Sequence, residues 1–153
     1  MTADQPDSET IHASCVAIDG LAVLLCGASG SGKSDLTLCL LDRGAKLISD
    51  DYTVLRRSGD ELVASAPANI AGKIEVRGIG IVDWPAISGV PVALCFALDT
   101  PVERMPQEQP GHRTILGVPV PVVALEALHA SAPIKAELAV RGIVDALHNK
   151  EGR

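Results

Sequence analysis

The sequence predicts one α/β domain whose central sheet mixes parallel and antiparallel strands, and three observations predict it. A glycine-rich loop at residues 27–34 lies between an apolar strand and a helical stretch. An Asp-Gly pair at residues 19–20 and a Ser-Gly-Asp run at residues 58–60 each separate two apolar runs, which is the pattern of a β-hairpin. The chain has 153 residues, of which 47% are hydrophobic, and this is enough to bury one sizeable core.

The first hairpin consists of predicted strands at residues 11–18 and 21–26, joined by a two-residue turn. The predicted register pairs Ile18 with Leu21, Val16 with Val23, Ser14 with Leu25, and His12 with Gly27. A lone histidine near a strand end is usually exposed or hydrogen-bonded without a role. Because this register carries His12 to the mouth of the glycine-rich loop, we predict that it belongs to a functional site.

The loop itself matches the pattern G-x-x-x-x-G-K-S. In such loops the backbone N–H groups surround a polyphosphate, the lysine reaches the terminal phosphates, and the serine hydroxyl is placed to ligate Mg²⁺. A Gly/Ser-rich turn with a chance lysine is the alternative, but the strand before the loop and the predicted helix at residues 34–43, ended by Gly44, favour a nucleotide-phosphate site. The predicted nucleotide-binding residues are Gly27, Ala28, Ser29, Gly30, Ser31, Gly32, Lys33 and Ser34.

Further strands are predicted after the loop helix. Four stretches carry the apolar pattern of strands: residues 46–49, 53–57, 62–66 and 92–98. The first ends in Asp50-Asp51 and the last in Asp99, while the middle two form the second hairpin. The stretch at residues 74–81 is also apolar, but it contains two glycines and two opposite charges.

The C-terminal third predicts a loop, a strand with prolines and two helices. Residues 100–111 are rich in Pro, Gln and Glu and predict a mobile loop. Residues 118–123 contain two prolines and predict an edge strand or an extended connection. Residues 125–130 and 134–148 predict helices separated by Pro133.

No internal repeat or linker divides the chain. We therefore assign residues 11–148 to a single domain, with a flexible N-terminal tail at residues 1–10 and a C-terminal tail at residues 149–153. The first nine residues are polar, with three acids and no basic cluster, so they do not form a signal peptide.

Composition excludes several classes of function. The formal net charge is −6 and the chain has one Tyr, one Trp and one Phe, which disfavours a nucleic-acid partner. No apolar run approaches the roughly 18 residues needed to span a bilayer. The four cysteines form no C-x-x-C pair and are predicted to be reduced, packed thiols. We expect a soluble, cytoplasmic protein with neither a nucleic-acid nor a membrane partner.

Two strand ends compete for the carboxylate that phosphoryl transfer needs near its metal. Asp99 follows a buried strand, as a Walker B aspartate does. Asp50-Asp51 offers adjacent acids, which repel each other unless a cation or a proton transfer uses them. The alternative interpretation of Asp50-Asp51 is a solvated turn. Residue chemistry alone favours this pair over Asp99 only modestly.

Taken together, these sequence features resemble those of the catalytic domain of bacterial HPr kinase/phosphorylase. The resemblance runs from residue 11 to about residue 140. It depends on His12 fifteen positions before the first loop glycine, on the loop, on Asp50-Asp51, and on residues 74–81. That last segment reads Ile-Glu-Val-Arg-Gly-Ile-Gly-Ile, close to the family signature E-[IV]-R-G-[IL]-G-I.

The resemblance implies a fold and a set of roles. The fold is a P-loop α/β domain with a mixed sheet, like that of phosphoenolpyruvate carboxykinases. Ser34 and Glu75 would be the Mg²⁺ ligands, and Asp51, with Asp50 beside it, would take the proton of the target serine. The implied catalytic set is His12, Lys33, Asp50, Asp51 and Arg104; the residues around Arg104 diverge from the family pattern.

The implied activity is phosphorylation of a serine of the phosphocarrier protein HPr by ATP with Mg²⁺. The reverse reaction would be phosphorolysis, which consumes phosphate and releases pyrophosphate. The family assembles as hexamers, so a homo-oligomer is expected. Two alternatives stay open: an ATP-binding regulatory module without transfer activity, and a small-molecule kinase.

Two departures from the family pattern affect these expectations. Residues 131–137 align with a flexible family segment used in dephosphorylation, but here Lys135 is the only basic residue in it, which weakens the case for phosphorolysis. The chain also resembles a short form without the N-terminal domain, so regulation through that domain is not expected.

Overall fold

The computed structural model describes residues 7–28, 30–105 and 111–151. These residues contain a nine-stranded mixed sheet, a separate two-stranded hairpin and two helices. The elements in chain order are β1 (Ser8–Ile11), β2 (Ala13–Ile18), β3 (Leu21–Cys26), α1 (Lys33–Asp42), β4 (Lys46–Ser49), β5 (Thr53–Ser58), β6 (Glu61–Ser65), β7 (Lys73–Val76), β8 (Gly80–Asp83), β9 (Val90–Ala97), β10 (His112–Ile115), β11 (Val118–Ala124) and α2 (Ala132–Glu151).

The large sheet has the strand order β1-β5-β6-β9-β3-β2-β4. Strand β9 runs parallel to β3 and to β11, whereas the other pairs in this order are antiparallel. The predicted mixed α/β fold is therefore confirmed. Because β3 and β9 are parallel neighbours, the segments that follow them leave the sheet at the same edge, and the glycine-rich loop lies there.

Both predicted hairpins are confirmed. In the first, Ile18 pairs with Leu21, and the ladder continues to Ala13 opposite Cys26, one residue short of His12. The turn residues Asp19 and Gly20 both have positive φ, 52° and 81°, as a two-residue hairpin turn requires. The second hairpin joins β5 to β6 through residues 59–60.

Hydrophobic side chains form two clusters, one on each face of the sheet. In β3, Val23 and Leu25 contribute to the cluster that packs under α1 and α2, while Leu24 contributes to the other. The second cluster joins β3 and β2 to Leu55 of β5 and Leu62 of β6, strands that are not their neighbours in the sheet. The sheet therefore bends around this second cluster.

The observed strand and helix ends differ from the predicted tails. Residues 8–10 were assigned to a flexible tail, but β1 pairs with the otherwise open edge of β5. Helix α2 continues to Glu151, beyond the predicted domain end at residue 148. Residues 1–6 and 152–153 of the predicted tails lie outside the described residues.

The predicted helix at residues 125–130 is wrong, since these residues form turns. Six residues make fewer than two helical turns, which is too short to be stable without strong tertiary support. Pro133 does not separate two helices but lies in the first turn of α2. Proline is tolerated there because a backbone N–H in the first turn would have no partner within the helix.

The proline-containing stretch at residues 118–123 belongs to strand β11. Residues 118–121 pair with β10 and residues 122–124 pair with β9, so both prolines lie in the part of the strand whose one ladder partner among the described residues is β10. An open side is what allows prolines in a strand. Of the loop predicted at residues 100–111, residues 106–110 lie outside the described residues. No helix among the described residues is long and apolar enough to cross a membrane.

Candidate active site

The glycine-rich loop connects the end of β3 to the first turn of α1. Gly32 caps the helix with a left-handed φ of 97°, and a Cβ at this position would lie 2.9 Å from the Cβ of Ala127. A residue with a side chain would therefore be both strained and crowded at this position. Ser29 of the predicted loop lies outside the described residues.

Hydrogen bonds fix the loop at its base. The Lys33 side chain is buried, and its Nζ donates to the carbonyl oxygen of Gly27. The N–H of Ala28 donates to Oδ2 of Asp99 over 3.1 Å. Asp99, the candidate for a Walker B carboxylate, thus holds the loop backbone and is not among the residues that line the cavity in front of it.

A cavity of about 630 Å³ lies in front of the loop. Four segments line it: the loop with the first turn of α1, the Asp50-Asp51 turn after β4, the β7–β8 hairpin, and Leu128 in the segment before α2. The structure brings together seven of the predicted site residues along this cavity: Gly30, Gly32, Lys33, Ser34, Asp50, Asp51 and Glu75.

His12 contacts the cavity through Asp51. Its Nε2 lies 2.8 Å from Oδ1 of Asp51, and since an ionised carboxylate only accepts, the imidazole N–H donates. The ring also stacks on Tyr52, with the ring centroids 5.0 Å apart and the planes at 26°. His12 therefore contacts one oxygen of the Asp51 carboxylate, and Oδ2 of Asp51 accepts no hydrogen bond from the residues that the structure describes.

The two adjacent acids have different environments. The side chain of Asp51 is 56% exposed. Asp50 is buried, and both of its oxygens accept hydrogen bonds: Oδ1 from the Ser14 hydroxyl at 3.3 Å and Oδ2 from the Glu75 N–H at 2.9 Å. Asp51 is thus placed to meet a substrate, whereas Asp50 is engaged with the protein.

The backbone at Asp51 is strained. Its φ is 67°, in the left-handed region that residues with side chains rarely adopt. The N–H of Tyr52 donates to the carbonyl of Asp50 over 2.7 Å, which closes a tight three-residue turn centred on Asp51. Strain of this kind is often concentrated at functional sites, where the surrounding structure holds it in place.

The predicted metal ligands Ser34 and Glu75 are both exposed and line the same cavity. Hydroxyl and carboxylate oxygens are the hard ligands that Mg²⁺ prefers. Among the described residues, no group of three or more His, Cys, Asp or Glu side chains could hold a metal. One carboxylate and one hydroxyl nevertheless fit Mg²⁺, which usually keeps several waters and takes its other ligands from substrate phosphates.

Two predicted features lie elsewhere. Arg104 is exposed in the segment after β9 and does not line the cavity. Residues 132–137, in the segment expected to be flexible, form the start of α2. There Glu137 accepts hydrogen bonds over 2.9 and 2.7 Å from Arg43, the residue that follows α1.

Sequence reasoning missed four residues that take part in the site: Ser14, Asp35, Tyr52 and Arg77. Asp35 and Arg77 line the cavity directly. The position of Asp35 next to Ser34, and of Arg77 two residues after Glu75, could have indicated both of them. Tyr52 could have been found as a rare aromatic that follows the acids, but nothing in the sequence singles out Ser14.

A pair of thiols lies directly behind the loop. All four cysteines are free, and Sγ of Cys26, the residue before the loop, is 2.7 Å from Sγ of Cys95. The hydrogen bond with Cys95 lowers the pKa of the Cys26 thiol, and the nearby Arg113 guanidinium lowers it further. The same hydrogen bond, together with burial, raises the pKa of Cys95. Cys26 is thus the more acidic thiol of the pair.

Curated proteins are similar in sequence to this chain. The chain is 38% identical over 128 residues to the HPr kinase/phosphorylase of Chlorobium limicola, covering 74% of this chain and 38% of that protein. It is 48% identical over 82 residues to the HPr kinase/phosphorylase of Caldanaerobacter subterraneus, covering 53% of this chain and 27% of that protein. The match thus spans well under half the length of either relative.

A solved structure and a family model match far more of the chain. The structure of the Hpr(Ser) kinase/phosphatase from Coxiella burnetii superimposes with a TM-score of 0.78 at 34% identity, covering 92% of this chain and 99% of that one. The model of the HPr Serine kinase C-terminal domain matches residues 5–145. The protein therefore belongs to the family of the HPr serine kinase C-terminal domain.

Proposed function

We propose that this chain is an ATP- and Mg²⁺-dependent kinase that phosphorylates a serine of HPr. One observation carries the proposal: a single cavity has the Lys33 and Ser34 side chains on its loop side and the carboxylates of Asp51 and Glu75 among its other walls. Phosphoryl transfer needs a cradle for the nucleotide phosphates, oxygen ligands for a metal, and a base for the acceptor hydroxyl. These residues supply all three.

The proposed transfer is an in-line displacement. The serine oxygen attacks the γ-phosphorus while Oδ2 of Asp51 accepts the serine proton, and the bond to the β–γ bridging oxygen breaks to release ADP. The N–H of His12 holds Oδ1 of Asp51 and so orients the carboxylate. Lys33 and the loop N–H groups stabilise the charge that develops on the phosphoryl oxygens.

Ser34 and Glu75 would hold Mg²⁺ in this cavity. When bound, the ion neutralises phosphate charge and orients the β- and γ-phosphates. Lys33 must leave the carbonyl of Gly27 to reach a phosphate, and the glycines of the loop allow the backbone to adjust as it does so.

The proposal includes the reverse reaction. An oxygen of inorganic phosphate would attack the phosphorus of phosphoserine-HPr, the serine oxygen would leave with the proton held by Asp51, and the products would be HPr and pyrophosphate. We also propose a homo-oligomer, hexameric as in the family that the chain resembles. Light scattering on the purified protein would test the oligomer.

The direct test is incubation of the protein with ATP, Mg²⁺ and purified HPr, followed by mass spectrometry to locate the phosphate. A single phosphoserine on HPr is the expected result. The reverse test adds phosphate to phosphoserine-HPr and measures pyrophosphate. ATP binding with no modified HPr would favour a regulatory module, and ATP turnover with small hydroxyl compounds but not with HPr would favour a small-molecule kinase.

A further inference from the structure

Ser14 is a buried polar residue within an apolar strand. It is 1% exposed, and by the alternation of β2 it shares a face with Val16 and Ile18, which belong to the cluster under the helices. The pairing of β2 with β4 shifts register between residues 15 and 16, one residue after this serine. Such irregularities re-aim neighbouring side chains, and here the Ser14 hydroxyl reaches the turn that follows β4.

The hydroxyl connects the two adjacent acids. Its oxygen accepts a hydrogen bond from the N–H of Asp51 over 2.9 Å. A backbone N–H can only donate, so the hydroxyl proton stays free and points to Oδ1 of Asp50, 3.3 Å away. One buried hydroxyl therefore fixes the backbone of Asp51 and the carboxylate of Asp50 together.

The bond to Asp51 supports the strained turn. The Asp51 N–H is part of a backbone held at a φ of 67°, and the Ser14 hydroxyl is its partner. Without that partner the N–H would lose its hydrogen bond and the turn could relax towards an ordinary conformation. The direction of the Asp51 carboxylate would change with it.

The bond to Asp50 extends to the metal side of the cavity. The second oxygen of Asp50 accepts the N–H of Glu75 over 2.9 Å. Glu75 lies in β7, which pairs with β8 in a separate two-stranded sheet rather than with the main sheet. The carboxylate of Asp50 thus ties the hairpin that carries Glu75 to the strand that carries Ser14.

We propose that Ser14 is a positioning residue for phosphoryl transfer, acting directly on the backbone of Asp51 and, through Asp50, on that of Glu75. This inference rests on the proposed function. It assigns Asp50 a structural task, so that Asp51 alone transfers the proton. Because no hydrogen bond joins Ser14 to the glycine-rich loop in the part of the chain that the structure describes, nucleotide binding should not depend on it.

Three variants test the proposal. Ser14→Ala removes the hydroxyl, and Ser14→Thr restores one at the same position. Thr53→Val is the matched control, because Thr53 is equally buried and its hydroxyl donates to the carbonyl of Ala13 over 2.7 Å without touching either acid. Ser14→Ala removes a buried hydroxyl that makes two hydrogen bonds, and Thr53→Val removes one that makes a single hydrogen bond. Ser14→Ala should therefore lose at least as much thermal stability as Thr53→Val, and activity is compared at a temperature where both variants are folded.

For Ser14→Ala we expect kcat to fall roughly 10- to 100-fold, the range seen when a residue that orients an active-site ligand is lost. The KM for ATP should stay within about twofold, since the loop is unchanged. Ser14→Thr should recover most of kcat, and Thr53→Val should keep it within about twofold. An equal loss of kcat in Thr53→Val and Ser14→Ala would reduce Ser14 to a stabilising residue and overturn the proposal.

A second readout does not use activity. Amide hydrogen exchange, followed by NMR, should quicken at Asp51 and Glu75 in Ser14→Ala, and Thr53→Val should leave the Glu75 amide unchanged. Unaltered exchange at Glu75 in Ser14→Ala would contradict the link through Asp50. If the wild-type protein is inactive on HPr, the proposed function is wrong. Exchange at the Asp51 and Glu75 amides would then still show whether Ser14 holds these two backbone positions.

Discussion

The loop side of the cavity is continuous in the sequence, whereas the acidic side is assembled from distant segments. The contact that fixes Lys33 joins it to Gly27, six positions away. On the acidic side, His12 meets Asp51 across 39 positions, and Asp50 meets Glu75 across 25. A loop defined by its own sequence can form wherever a strand and a helix flank it, but the acidic side exists only when β2, β4 and β7 are packed together.

The comparison explains why two neighbouring carboxylates differ so much. Asp50 also lines the cavity, but it is buried and its carboxylate accepts hydrogen bonds from two other segments. Asp51, on the strained turn, faces the cavity and His12. Each side can be broken separately by substitution, and the size and kind of the loss should tell the two sides apart.

The largest effect is expected on the loop side, from Lys33→Met. Methionine keeps an aliphatic stem in this buried position but removes the charge that would meet the terminal phosphates. Transfer to HPr should be abolished while circular dichroism shows an intact fold. Lys46→Met, at an exposed position at the start of β4, is the control and should keep wild-type activity. Near-normal transfer by a folded Lys33→Met protein would contradict the assignment of the glycine-rich loop as the phosphate-binding site.

On the acidic side, Asp51→Asn should lower transfer by roughly 10²–10⁴-fold, the contribution of a positioned general base. The same group must return the proton in phosphorolysis, so both rates should fall together. Asp35→Asn removes a charge from the same cavity without removing the base, and we expect it to lose less than about tenfold. The test is to measure phosphorylation of HPr and phosphorolysis of phosphoserine-HPr for each variant. A loss in Asp51→Asn that is confined to one direction would rule out Asp51 as the proton-transfer group of both reactions.

Much of the fold could be predicted because its signals are local. The Asp19-Gly20 turn set the register of the first hairpin, and short apolar runs placed β4 and β9. The short helix predicted at residues 125–130 failed because an apolar run of that length does not distinguish a helix turn from a loop that packs under the cavity.

The site was predictable only where a motif carried it. The loop, Asp51 and Glu75 follow from patterns in the sequence, and they line one cavity. The contact of Asp50 with Ser14 does not follow from any pattern, because Ser14 is 36 positions away and is an ordinary small residue in an apolar strand. The stacking of Tyr52 on His12 also depends on how β2 meets the turn after β4, which no local pattern encodes.

A smaller effect, on the Mg²⁺ requirement, should distinguish the role of Glu75 from that of Asp99. If Glu75 ligates Mg²⁺, Glu75→Gln should raise the Mg²⁺ concentration for half-maximal activity, by roughly tenfold for one lost charged ligand. Asp99→Asn should change it little, since the Asn side-chain oxygen can still accept the Ala28 N–H. Titration of activity with Mg²⁺ compares the two. The reverse outcome would make Asp99 the metal carboxylate and would move the metal to the loop side.

The smallest predicted effect concerns the aromatic ring behind His12. Tyr52 is half exposed, and its contribution is the stack that holds the imidazole against Asp51. Aromatic stacking of this kind contributes about 0.5–1.5 kcal/mol, so Tyr52→Ala should lower kcat by roughly two- to tenfold. Tyr52→Phe keeps the ring and should keep the rate, because the structure gives the Tyr52 hydroxyl no hydrogen bond within the described residues. Equal losses of kcat in Tyr52→Ala and Tyr52→Phe would mean that the Tyr52 hydroxyl itself contacts a substrate. The acidic side of the cavity would then include Tyr52 as well as Asp51.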